Sequence, residues 1–127
     1  MRVKLRLNGE EVERPVVEHP SGAALLAYDP DRRVAMTVRQ TRQAVLYLNA
    51  APLAEPVAGV VENESGEEAA RRETLEELGL RLQLVEFVGQ VWVTPSSTTE
   101  RVQLFLGAYN ESDRVGPAAA PTERMSS

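Results

Sequence analysis

The 127-residue chain carries 14 Lys and Arg against 19 Asp and Glu, for a formal net charge of −5, and it contains a single His and no Cys. That length serves one domain with a real core and is short for two, and the negative balance argues against a nucleic-acid backbone as partner. Without Cys there are no disulfides, thiolate metal sites or Cys nucleophiles, as suits a reducing compartment. No apolar run follows the charges of Met1-Arg-Val-Lys-Leu-Arg-Leu, and no stretch approaches the ~20 apolar residues of a membrane span. A cytoplasmic protein without a membrane partner is expected. A small anionic substrate would need a local basic patch or a bridging cation.

In chain order, Val3, Leu5 and Leu7 alternate with Lys4 and Arg6 as a strand. Asn8-Gly9 is a turn signal, and Val12 to Glu18 reads as the returning strand of a hairpin. Gly22 to Tyr28 is a short apolar run. Asp29-Pro-Asp-Arg is a turn, and Val34, Met36 and Val38 alternate as a further strand. Between Gln43 and Pro56 the pattern is weaker, with a short strand over Val45–Leu48 as its reading. Gly66 to Leu78 has helical periodicity. Ser65 and Glu68 give it the S-x-x-E pattern of a capping box, and Gly79 suits the left-handed position after a helix. Strands follow around Leu84–Val93 and Val102–Tyr109. Residues 116–127 are rich in Ala, Pro and Ser and read as a flexible C-terminal tail after a domain spanning 1–115. The fold class is α+β, dominated by strands, with one well-marked helix.

At ~100° per residue, Glu73, Glu76 and Glu77 share one helix face, while Ala70, Thr74, Leu75 and Leu78 lie roughly opposite and can pack on a sheet. Three carboxylates that close repel one another, and solvation, raised pKa values or a bound cation can relieve them. Magnesium, with manganese as a substitute, suits such oxygen ligands and often takes one or two carboxylates plus substrate phosphate oxygens. Arg72 can pair with Glu76 at i+4. An isolated E-x-x-E-E helix is usually a solvated charged face. This one follows a loop, Gly59-Val-Val-Glu-Asn-Glu64, that can bring the backbone of Gly59 and Val60 close to a ligand.

The stretch from Gly59 to Leu80, with seven residues between Glu64 and Arg72 and then R-E-T-L-E-E-L-G-L, resembles the Nudix box, G-x(5)-E-x(7)-R-E-U-x-E-E-x-G-U. Thr74 stands where a bulky apolar residue is usual, and the Gly59–Glu64 loop is one residue short. The shortened loop resembles the GDP-mannose pyrophosphatase branch. The resemblance implies a Nudix α/β/α sandwich with a mixed sheet and one catalytic helix after the Gly59 loop. It implies that Glu73 and Glu77 ligate metal by their side chains, with Glu76 beside them as a ligand or through water and the Ala58 carbonyl as a further ligand, in a catalytic group that includes Arg72. Magnesium-dependent hydrolysis of a nucleoside diphosphate sugar, of GDP-mannose or ADP-ribose type, is the activity it implies.

Features outside the box agree with that branch. Two arginines in Val38-Arg39-Gln-Thr-Arg42 are unremarkable at an exposed strand end, yet guanidinium groups also bind phosphate bidentately, and V-R-Q-x-R resembles the matching strand of ADP-ribose and GDP-mannose pyrophosphatases. Glu55-Pro-Val-Ala58-Gly59 resembles their entry to the box, and Thr94-Pro95-Ser-Ser-Thr-Thr-Glu100 their S-P-G-x-x-x-E loop. The resemblance makes Glu100 a contact to metal or substrate. A lone His is more often structural; His19 in Val-Val-Glu-His-Pro otherwise touches substrate across a homodimer whose contacts the N-terminal hairpin exchanges. Members of the branch continue into an acidic loop, a strand and a terminal helix. These are expected to be absent here, with Glu123 near the position of the loop acid but out of register. A truncated homologue that binds metal and nucleotide but turns over weakly is therefore the alternative expectation.

Overall fold

The computed structural model describes residues 1–119 and the backbone of 122–126. Strands β1 (Arg2–Leu7) and β2 (Glu10–Pro15) form an antiparallel hairpin. Asn8 and Gly9 turn it with φ of 49° and 83°, the double positive φ that a two-residue type I′ turn requires. The hairpin is a two-stranded sheet of its own.

The second sheet is built around β3 (Gly22–Asp29). Its neighbours are β4 (Val34–Val38), β5 (Val57–Val60), β6 (Val85–Trp92), β7 (Arg101–Ala108) and β8 (Thr122–Ser126). The strand order is β6-β7-β3-β4-β8, with β5 paired to β3 off that path. β7 runs parallel to β3, whereas β4 and β5 run antiparallel to it. They share one edge of β3, β5 taking Gly22–Leu25 and β4 taking Ala27–Asp29. This mixed topology fixes which loops meet. The starts of β3 and β7 lie side by side because they are parallel. The segment leaving β4 returns to the same end because β4 is antiparallel.

Helix α2 (Gly66–Leu78) packs on one face of this sheet. Ala69, Ala70, Thr74 and Leu78 are its buried residues. They join Ala23, Leu25, Ala27, Val57 and Phe105 in the core. Alternate positions on β3 and β7 reach that core, as the two-residue period of a strand dictates, and Leu26, Leu104 and Leu106 on the other face are only half-buried. The helix ends are those the sequence predicts. Ser65 Oγ accepts a hydrogen bond from the Glu68 N–H at 3.1 Å, and Gly79 closes the helix at φ 70°. Thr74 fits a position where an apolar residue is expected because its hydroxyl donates to the Ala70 carbonyl at 2.7 Å, which satisfies the one polar group it buries.

Two expectations are corrected. Val45–Leu48 is not a strand: Gln43–Tyr47 forms a short helix, α1, with no buried residues. A strand there would need a free sheet edge, and the nearest edge, at Val38, is taken by Glu55, whose backbone bridges it. The second concerns the tail. Thr122–Ser126 forms β8, antiparallel to β4 with Glu123 opposite Thr37. Backbone groups make that pairing, so composition gives little warning of it, and it occupies an edge of β4 that would otherwise present unpaired donors and acceptors.

Candidate active site

The ends of β3, β4, β5 and β7 converge on a cavity of about 200 Å³ lined by His19, Arg42, Ala58, Gly59, Val60 and Glu100. Six residues singled out in the sequence, spread from position 19 to position 100, thus come together. His19 precedes β3 and Glu100 precedes the parallel β7. Their side chains approach to 3.5 Å between His19 Nδ1 and Glu100 Oε2. Thr99 stitches the two segments, accepting from the His19 N–H at 2.9 Å and donating to the His19 carbonyl at 3.3 Å. Ala58 to Val60 belong to β5, whose pairing with Gly22–Ala24 holds that backbone against the start of β3.

Glu73 of α2 stands directly behind this strand. A Cβ placed on Gly59 would overlap the Glu73 carboxylate, so glycine there lets the helix bring an acid against the β5 backbone. Arg72 holds the loop and helix together. It binds Glu64 at 2.7 Å and Glu73 at 2.9 Å, and it donates to the Val60 carbonyl at 3.3 Å. Its i+4 approach to Glu76 is longer, 3.8 Å, and Glu76 is more than half exposed. The sequence spacing favours Glu76 as partner; Glu64, brought in by the short loop, is closer and less exposed. Arg72 holds the Glu64 carboxyl below the usual carboxylate range, and Glu64 in turn raises the guanidinium pKa.

Glu77 differs from its neighbours. Burial, then the charge of Glu73 and a hydrogen bond with it, pushes its pKa up to about 7. Its Oε2 is buried with no hydrogen-bond partner among the described residues. A buried, orphaned carboxylate oxygen beside a second carboxylate is unfavourable as a pair of anions. A hard divalent cation would relieve both the repulsion and the missing partner, so the donor set fits such an ion. Among the described residues no three acidic or His side chains already form a closed metal cage.

The remaining expected contacts separate. Arg42 reaches the cavity while paired side-on with Glu55, Nε to Oε2 at 3.0 Å and Nη2 to Oε1 at 3.1 Å. Arg39 is outside the cavity lining and donates to the Pro52 carbonyl, bracing the loop before β5. Glu55 and Thr99 were not legible as site residues. Each touches a partner 13 or 80 residues away, and no local spacing signals such pairs. Glu123 lies on β8, and only its backbone is described.

The fold and the site together define a mixed-sheet α+β domain that presents an acidic loop and helix beside a cavity flanked by a basic side chain. The chain belongs to the Nudix family: the model described as NUDIX domain matches residues 18–124. Among curated proteins, it is 32% identical over 114 residues to a GDP-mannose pyrophosphatase of Cronobacter sakazakii, covering 86% of this chain and 59% of that protein. It is 31% identical over 113 residues to a GDP-mannose pyrophosphatase of Yersinia enterocolitica, with 85% and 59% covered. The chain thus spans about three fifths of the length of these relatives. A solved structure titled as an ADP compounds hydrolase superposes with a TM-score of 0.68 at 17% identity, over 98% of this chain and 66% of that one. At that identity the likeness speaks for the fold.

Proposed function

We propose that this protein hydrolyses the pyrophosphate bond of a nucleoside diphosphate sugar, of GDP-mannose or ADP-ribose type, to a nucleoside monophosphate and a sugar phosphate, with magnesium as cofactor. The observation that carries the reading is the convergence of Arg42, His19 and Glu100 on one cavity lined by Ala58–Val60, with Glu73 against Gly59 and Glu77 beside Glu73. The relatives named as GDP-mannose pyrophosphatases support the same substrate class.

Glu73 and Glu77 would hold the cation, with the Ala58 carbonyl as an additional ligand and Glu76 at the exposed rim. When bound, the cation supplies charge neutralisation at the pyrophosphate and Lewis-acid activation of water. The chain's own groups do the rest. Arg42 offers guanidinium donors to a phosphate oxygen. Arg72 fixes the Glu73 carboxylate against the loop. Gly59 and Val60 would present backbone to the substrate, and the missing side chain at Gly59 lets Glu73 approach that strand. Glu100, which lines the cavity beside His19, and Glu76 would be the candidates to take a proton from the attacking water.

Incubation with magnesium and a panel of nucleotide sugars, nucleoside triphosphates and dinucleotides tests the reading, with products resolved by phosphorus NMR. Nucleoside monophosphate and sugar phosphate in equal amounts, from GDP-mannose or ADP-ribose, is the expected result. Metal binding without turnover of any nucleotide sugar would favour the weakly active binding homologue instead.

A further inference from the structure

We infer that Glu55 is a positioning residue for substrate binding, one that holds Arg42 in the orientation from which it meets the pyrophosphate; this rests on the nucleotide-sugar reading above. The mount is rigid. Glu55 exchanges two backbone hydrogen bonds with Val38, 2.8 Å and 2.9 Å, and Val38 is fully buried in the core. Its carboxylate therefore stands on the sheet itself. Arg42 has no such footing. It is the extended N-cap of α1, its side chain makes no cap bond, and α1 buries none of its residues. The two-point contact with Glu55 is the tie that joins the Arg42 guanidinium to the sheet.

The mode of pairing matters as much as the pairing. A guanidinium has five N–H donors in a fixed plane. Glu55 takes the edge made by Nε and one Nη2 hydrogen, and among the described residues Nη1 donates to no group. The edge formed by Nη1 and the outer Nη2 hydrogen is left over, and it is a two-donor fork of the kind that matches phosphate oxygens. Arg42 lines the cavity and Glu55 does not, and the carboxylate's charge is paired with the guanidinium. A flexible arginine would lose side-chain freedom on binding each substrate; this one has already lost it. An exposed ion pair contributes little to stability, so a purely structural role predicts little change in binding when it is broken.

Calorimetric titration with GDP-mannose and with ADP-ribose in metal-free buffer, on the wild type, Glu55→Gln, Arg42→Ala and the double variant, tests the inference. Glu55→Gln is expected to weaken binding by about tenfold, within the range typical of coupled neighbours. The double variant should bind no worse than Arg42→Ala alone. Glu55→Asp should recover part of the loss, and circular dichroism and melting temperature should stay at wild-type values. With magnesium present, Glu55→Gln should raise KM and leave kcat within a few-fold. Binding by Glu55→Gln as tight as wild type or tighter, or losses that simply add in the double variant, would overturn the inference while leaving the substrate reading intact. Unchanged binding by Arg42→Ala, or no binding by the wild type, would instead sink the placement of substrate in this cavity and the inference with it.

Discussion

Glu77 has a pKa near 7 because the fold buries it beside Glu73. The consequence for stability follows by proton linkage. Unfolded, its carboxyl titrates near 4.5; folded and metal-free, near 7. Below pH 4.5 both states are protonated and the residue is tolerated. As pH rises from 4.5 through 7, the folded state retains the proton longer, so stability is progressively lost. Glu77→Gln removes that loss. In chelator, the melting temperature of the variant relative to wild type is expected to rise between pH 4 and pH 8, and magnesium should raise the wild type at pH 8. A pH-independent difference would contradict the burial of an orphaned carboxylate. The i, i+3, i+4 spacing of Glu73, Glu76 and Glu77 was readable as a shared face. What spacing alone could not distinguish was their unequal exposure, which depends on how β5 and α2 meet. Arg72 shows the same limit: helical arithmetic offers Glu76, and a loop contact supplies Glu64.

At the scale of elements, the junction of β5 and α2 carries the account. The helix was legible from its periodicity and caps because both are local. β5 was hidden inside the motif, four residues long between Pro56 and the loop, and its strand identity depends on pairing with Gly22–Leu25. Short α1 was misread for a related reason, since an apolar run such as Val45–Leu48 has no secondary structure apart from the edge it can or cannot find. Gly59→Ala tests the junction. β5 should keep its register, because the overlap is with the Glu73 side chain and not with backbone. The Glu73 carboxylate must move away, and hydrolysis is expected to fall at least tenfold, about 1.4 kcal/mol of transition-state stabilisation, with little change in melting temperature. Wild-type turnover by this variant would show that the close approach of Glu73 to Gly59 has no part in function.

For the whole molecule, the strand-rich α+β class and the positions along the chain of most strands could be read from alternation and turn signals; their order in the sheet could not. The convergence of residues 19, 42, 58–60 and 100 could not be read from pattern, and came instead from resemblance; its physical cause is the parallel β3–β7 pair and the antiparallel β4 and β5. The β1–β2 hairpin stands apart as its own sheet with Leu5 and Leu7 exposed, and the homodimer expected from the sequence would draw its contacts from it. Glu at both positions is expected to shift a dimer to monomer in light scattering; an unchanged mass would place the dimer contact elsewhere or exclude it. Glu73 against Gly59, with Glu77 beside it, is proposed to form one magnesium-dependent hydrolytic site. Its most direct test is kcat/KM for GDP-mannose and ADP-ribose as a function of magnesium, for wild type and Glu77→Gln side by side. The account predicts turnover by the wild type that requires the metal and a loss of at least a hundredfold in the variant, about 2.7 kcal/mol. Equal, metal-independent turnover by the two proteins would contradict it.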